Sequence, residues 1–142
     1  MKKIFKGAAL CAMILLTVTL ITACGSPAKA YDKIKSEVDK NGYTITEWTP
    51  SQKTAFETHC GVAVTSAFLA TKGTEKAIII LLESEREYSA IIINYILSAH
   101  LDGYTTSELG GFSSTSDKRF VMVSTDQTGE SDACKTFNKY KK

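Results

Sequence analysis

The sequence predicts an α+β domain in which helices pack on a mainly antiparallel sheet of about five strands. Three observations favour this class. Segments with helical spacing and segments rich in β-branched residues follow one another in the order α-β-α-β-β-α-β-β-α. Two strands, at 62–71 and 76–83, are joined by the polar turn 72–75 and form a predicted hairpin. The run 77–82 is apolar on both faces, which is typical of a strand in the middle of a sheet.

The chain after residue 30 begins with a predicted helix, a strand and a second helix. Apolar residues recur at helical spacing over 31–38, and Asn41-Gly42 supplies a helix stop. The stretch 43–48 is rich in aromatic and β-branched residues and predicts a strand. Thr49 is then a helix N-cap with Pro50 at the first helical position.

The second half of the chain predicts a helix, two strands and a final helix. Ser84 and Glu87 match a capping box, and apolar residues follow at helical spacing until Asp102-Gly103. Because 91–93 is a run of β-branched residues, a third buried strand is the alternative for this segment. The remaining predicted elements are strands at 104–109, 112–116 and 118–125 and a helix with the apolar stripe Ala133, Phe137 and Tyr140.

The first 23 residues have the layout of a secretory signal. Lys2, Lys3 and Lys6 form a positively charged start, and residues 7–23 carry no charge. The uncharged run also reaches the short limit of about 17 residues for a membrane-spanning helix, so an uncleaved anchor is the alternative.

The end of this segment favours cleavage. Ile21-Thr22-Ala23-Cys24 resembles the lipobox of bacterial lipoproteins, in which an aliphatic residue and two small residues precede an obligatory cysteine. The resemblance implies that residues 1–23 are a cleaved signal peptide and that Cys24 carries the lipid. Residues 24–30 would then be the anchor and a short tether, and residues 31–142 a single domain. Because two or more acyl chains hold a protein stably on a bilayer, the membrane is the predicted partner, at its extracytoplasmic face.

The charge balance bears on the class of partner. The formal net charge is +2, and Lys2, Lys3 and Lys6 of the predicted signal account for this excess. The rest of the chain is nearly neutral, whereas a nucleic-acid-binding domain needs a strongly basic face. The sequence therefore predicts no nucleic-acid partner.

Two cysteines, Cys60 and Cys134, follow the predicted anchor. An exported domain permits disulfides, and two cysteines in a small exported domain most simply pair. Two alternatives stay open. Both thiols are free and buried, or Cys60 is a nucleophile with His59 or His100 as its base.

The histidines do not form a recognisable metal motif. Neither His59 nor His100 has a second ligand at the spacing of a zinc site, and no phosphate-binding glycine motif exists in the chain. Both histidines lie at predicted helix ends, where the helix dipole stabilises a cationic side chain. The sequence therefore predicts no metal and no cofactor.

Candidate residues for a binding surface are Trp48, Tyr104 and Phe112. Trp48 stands at the end of a predicted strand, and Tyr104 and Phe112 flank a polar region around Gly110-Gly111. The alternative interpretation places Trp48 in the core.

These observations predict a membrane-anchored, non-enzymatic binding domain whose ligand is an unknown protein or a component of the cell envelope. Two alternatives remain. One is a small thiol-dependent enzyme that uses Cys60 and His100. The other is a self-protection or exclusion lipoprotein that blocks an incoming toxin or phage.

Overall fold

The computed structural model describes residues 26–86, 90–101, 113–114 and 119–140, and over these ranges it contains four α-helices. The helices are α1 (Pro27–Lys40), α2 (Pro50–Cys60), α3 (Ala90–His100) and α4 (Asp132–Tyr140). The strands are β1 (Thr44–Glu47), β2 (Val64–Lys72), β3 (Glu75–Leu82), the two-residue β4 (Ser113–Ser114) and β5 (Phe120–Ser124). The predicted α+β class is confirmed.

The sheet is antiparallel throughout, with the spatial order β1-β2-β3-β5-β4. Strand β3 lies in the middle, where Ile79 is opposite Phe68 of β2 on one side and Met122 of β5 on the other. All residues of β3 from Ala77 to Leu82 are buried. The apolar run therefore occupies the central position that its composition predicts.

Strand β3 separates two cores because successive side chains of a strand point to opposite faces. Ile78, Ile80 and Leu82 pack in a cluster with residues of α2 and α3. Ile79 and Leu81 pack in a second cluster with residues of α1 and α4. The domain is thus a helix–sheet–helix sandwich, with an α2–α3 face and an α1–α4 face.

Helix α1 begins earlier than the sequence predicts. Ser26 is its N-cap, and the Ser26 Oγ accepts a hydrogen bond from the Lys29 N–H at 3.2 Å. Pro27 occupies the first turn, where its missing N–H costs nothing. Residues 27–30 therefore belong to α1 rather than to a tether.

Helix α2 is fixed at both ends. Thr49 and Gln52 form a capping box, in which each side chain accepts a hydrogen bond from the backbone N–H of the other. Pro50 follows at the first helical position, as predicted. At the other end Gly61 adopts a left-handed conformation with φ of 73°, and its N–H donates to the Glu57 carbonyl at 2.8 Å.

The structure differs from the predictions in the region around α3. The segment is a helix rather than a third buried strand, but its first described residue is Ala90, and Glu85 and Arg86 are not helical. Ser84 is therefore not the N-cap of α3. Glu87 of the predicted capping box, the predicted strand at 104–109, and both Tyr104 and Phe112 lie outside the described residues.

The central position of β3 predicts that neither of its faces tolerates charge. Ile79→Asp and Ile80→Asp each bury an unpaired carboxylate, which costs several kcal/mol against a total stability of about 5–15 kcal/mol. We expect both variants to unfold at much lower denaturant concentration than the parent. Thr46→Asp, at an exposed position of β1, is the control and should leave the midpoint nearly unchanged. A β3 variant whose denaturant midpoint is close to that of the parent would contradict the sandwich.

Candidate functional site

Trp48 is a core residue, and this corrects its assignment to a binding surface. Only 5% of its side chain is exposed, and it joins the cluster on the α2–α3 face. Its backbone N–H donates to the Ala67 carbonyl at 2.9 Å, which continues the pairing of β1 with β2. The indole stacks on the imidazole of His100, with ring centroids 4.3 Å apart and an interplanar angle of 21°. Burial of this large ring beneath α3 fixes the end of that helix against β1.

Among the described residues, Trp48 belongs to an aromatic cluster that also contains Phe56, His59, Tyr95 and His100. Tyr95 of α3 lies at its centre. The Tyr95 ring centroid is 5.5 Å from Phe56, 5.1 Å from His59 and 6.0 Å from His100. Phe56 in turn contacts Trp48 at 5.8 Å. The cluster ties α2, α3 and the end of β1 together.

The burial of His100 overrides its position at a helix end. His100 is the last residue of α3, as the sequence predicts, and the helix dipole there favours the cation. Desolvation nevertheless lowers the pKa of His100 below its ordinary value of 6.5. The buried Nε2 atom has no hydrogen-bond partner among the described residues. Partial burial of the ring therefore favours its neutral form.

An open groove of about 670 Å³ runs over the outer surface of α2 beside this cluster. Small and hydroxyl residues line it on α2, and one aromatic ring lines it on α3; the set is Pro50, Ser51, Thr54, Ala55, Thr58, His59 and Tyr95. We call it the α2–α3 groove.

The threonines of the α2–α3 groove present apolar surface. The Thr54 Oγ1 donates to the Pro50 carbonyl at 3.0 Å, and the Thr58 Oγ1 donates to the Thr54 carbonyl at 2.9 Å. Because these bonds occupy the hydroxyl groups on the helix backbone, the methyl groups are left for contact with a ligand. Sequence reasoning missed this groove, since Thr54 and Thr58 look like ordinary polar surface residues; their four-residue spacing on one helical face was the available signal.

Ile91 extends the apolar surface next to the groove. It is 54% exposed, and among the described residues no other large hydrophobic side chain is so exposed. It precedes Tyr95 by one helical turn, so both side chains lie on the same side of α3. Ile91 therefore adds apolar surface on the side of α3 that carries Tyr95.

The structure corrects the predicted disulfide between Cys60 and Cys134. Both cysteines are free and buried. Cys60 packs on the α2–α3 face and Cys134 on the α1–α4 face, so the sheet lies between them. A disulfide needs Cα atoms about 4.4–6.8 Å apart, which residues on opposite sides of a packed sheet do not meet. The alternative of two free buried thiols describes the structure.

In the described part of the chain, the Cys60 thiol does not donate to the Nε2 atom of His100, because that atom has no hydrogen-bond partner. Burial raises the pKa of the Cys60 thiol, and the nearby Arg86 guanidinium offsets this only in part. Arg86 is engaged with the backbone, because its Nη1 donates to the Gly61 carbonyl at 3.2 Å. A protonated thiol is a poor nucleophile.

Within the described ranges, no three histidine, cysteine or carboxylate side chains come together as a metal site.

The comparisons with known proteins give no further guidance: no family model matches the chain, and no curated protein or solved structure matches it.

Because the pKa of His100 is lowered in the folded chain, the stability of the domain should depend on pH. Since its pKa is lower in the folded than in the unfolded chain, the unfolded chain binds more protons as the pH falls below 6.5. The free energy of unfolding should therefore decrease in this range. We measure the free energy of unfolding with urea at several pH values between about 7.5 and 5.5. A plot of this free energy against pH should have a shallower slope for His100→Gln than for the parent. Equal slopes in the parent and His100→Gln would contradict the assignment.

Proposed function

We propose that this protein is a lipid-anchored lipoprotein of the extracytoplasmic membrane face, and that its domain binds a partner through the α2–α3 groove without catalysing a reaction. The observation that carries the binding site is the apolar lining made by Thr54, Thr58 and Tyr95 next to the exposed Ile91. We also propose that the chain after the anchor forms a single domain with about five strands, whose helices and strands follow the order α-β-α-β-β-α-β-β-α.

The proposed anchor would hold the domain close to the bilayer. Only Gly25 and Ser26 separate Cys24 from Pro27, the first residue of α1. Three residue steps span at most about 10 Å. None of the helices among the described residues is long and apolar enough to cross a membrane. A lipidated Cys24 would therefore place the start of α1 at the membrane surface and restrict the directions in which the domain can turn.

The α2–α3 groove is suited to an apolar part of a partner. Complete burial of an aliphatic side chain such as Ile91 is worth about 1.5–3 kcal/mol. The walls of the groove are already ordered, because the capping box at Thr49 fixes α2 and the aromatic cluster holds Tyr95 against Phe56 and His59. A preformed surface loses little conformational entropy on binding. These properties favour a binding role over the enzyme that the sequence left open.

Anchoring is expected to depend on Cys24. Cys24→Ala should abolish incorporation of radioactive palmitate and leave the full-length precursor unprocessed, because the modified sulfur is missing. The measurement is labelling of growing cells followed by immunoprecipitation. Cys60→Ala and Cys134→Ala are the matched controls and should be labelled like the parent. Normal labelling and processing of Cys24→Ala would show that the lipobox assignment is wrong.

The binding site is tested by photo-crosslinking in intact cells. A photoreactive amino acid at Ala55 should give a discrete adduct with a partner, whereas the same group at Lys40 on the α1–α4 side should not. Ile91→Ser should weaken the Ala55 adduct without loss of stability, since Ile91 is largely exposed. Asn94→Ser, also exposed on α3, is the control for this change. Identical adducts from Ala55 and Lys40, or an Ala55 adduct unaffected by Ile91→Ser, would contradict the site.

A further inference from the structure

Strand β1 is an edge of the sheet, and its backbone pattern shows which groups face outward. It pairs with β2 only, and Glu47 lies opposite Phe68. The next pair, Trp48 and Ala67, is hydrogen-bonded, because the Trp48 N–H donates to the Ala67 carbonyl. Hydrogen-bonded and non-hydrogen-bonded pairs alternate along an antiparallel ladder. The N–H and C=O groups of Ile45 and Glu47 therefore point away from β2.

These outward groups are available to another strand. The ladder with β2 does not use the backbone groups of Ile45 and Glu47, because both residues stand in non-hydrogen-bonded pairs. Ile45 and Glu47 thus each offer one N–H donor and one C=O acceptor to a neighbouring strand, and the two residues are two positions apart on β1. Extended peptides bind such edges by completing the ladder. An edge alone does not identify a ligand, because every open sheet has one.

The groove beside this edge supplies the second feature, which is charge. Helix α1 lines it with Asp32, Lys35, Ser36 and Asp39, and β1 contributes Glu47. Lys35 forms an ion pair with Glu47, whereas the carboxylates of Asp32 and Asp39 have no ion-pair partner within the described residues. Three carboxylates against one ammonium leave the lining with an excess of negative charge.

The neighbouring residues are consistent with this negative field. Burial raises the pKa of Tyr31, and the charges of Glu47 and Asp32 raise it further. Lys53 of α2 approaches Glu47 from the other face and helps to lower the pKa of its carboxyl, after the larger effect of Lys35. Lys53 does not line the groove, so the surface next to the edge remains acidic.

We infer that the free edge of β1 binds an extended, basic segment of a partner protein by strand addition. Asp32 and Asp39 are seven residues apart on α1, or about 10.5 Å along its axis. Side chains on one face of a strand repeat about every 6.7 Å, so flexible lysine or arginine side chains at alternate positions reach both carboxylates. The Lys35–Glu47 pair is exposed and contributes little to stability, so it can open when the segment binds.

The charge also decides against a second copy of this chain on the same edge. Pairing of β1 with β1 of another molecule would bring two acidic grooves together, and like charges in contact are destabilising. This surface shares no lining residue with the α2–α3 groove. The inference therefore stands apart from the proposed function.

The test uses the full-length lipoprotein in detergent micelles and a synthetic peptide of about eight residues in which Lys and Thr alternate. We expect the peptide to slow hydrogen exchange of the Ile45 and Glu47 amides. A peptide with Glu in place of Lys, and one with alternate backbone amides N-methylated, should not do so. Asp32→Asn/Asp39→Asn should weaken binding at least about tenfold, equivalent to about 1.4 kcal/mol. The control Glu83→Gln/Glu130→Gln removes two negative charges elsewhere and should bind like the parent.

Several results would overturn the inference. They are the absence of binding, protection that maps to the α2–α3 groove, equal binding of the N-methylated peptide, or equal weakening by both double variants. Protection of Ile45 and Glu47 without peptide, together with self-association, would show that a second copy holds the edge. Because neither the peptide nor the variants touch Cys24 or Ile91, failure here leaves the proposed function to its own tests.

Discussion

The fold depends on a single constraint, the burial of β3 on both faces. A strand that is apolar on both faces cannot lie on the surface, so it requires a helical layer on each side of the sheet. Helices α2 and α3 cover Ile78 and Ile80, while α1 and α4 cover Ile79 and Leu81. This division into two faces sets the positions of the aromatic cluster, the two grooves and the two cysteines.

Both proposed binding surfaces arise where a helical layer meets the margin of the sheet. On the α2–α3 face, α2 and α3 contact each other through Phe56 and Tyr95, and their outer surfaces leave the groove open. On the α1–α4 face, Asp32 and Asp39 of α1 line a groove together with residues of β1. The two surfaces differ in chemistry, because the first presents methyl and aromatic groups and the second presents carboxylates and backbone groups.

Local signals in the sequence were sufficient for the class and for several element boundaries. The apolar run of β3 and the Thr49-Pro50 start of α2 describe the chain's own conformation, so they could be read directly. Burial of Trp48 and separation of Cys60 from Cys134 depend on which helix packs on which face, and no local pattern contains that information. The α2–α3 groove was missed for another reason: Thr54 and Thr58 become apolar only after their hydroxyl groups bond to the helix backbone. The sequence predicts a linker at the start of α1, because Ser26-Pro27 suits a loop as well as a helix cap.

The separation of the two thiols has a consequence for how the domain folds. Because Cys60 and Cys134 lie on opposite sides of the sheet, they form no disulfide in the native fold of the described chain. No oxidase is therefore needed to join them. Folding can finish by packing alone, and mild reductants have no bond to cleave there. Both sulfurs are also shielded from peroxide and from foreign thiols while the domain stays closed. The fold would therefore be unaffected by changes between oxidising and reducing surroundings. Unfolding would expose both thiols and make them reactive together.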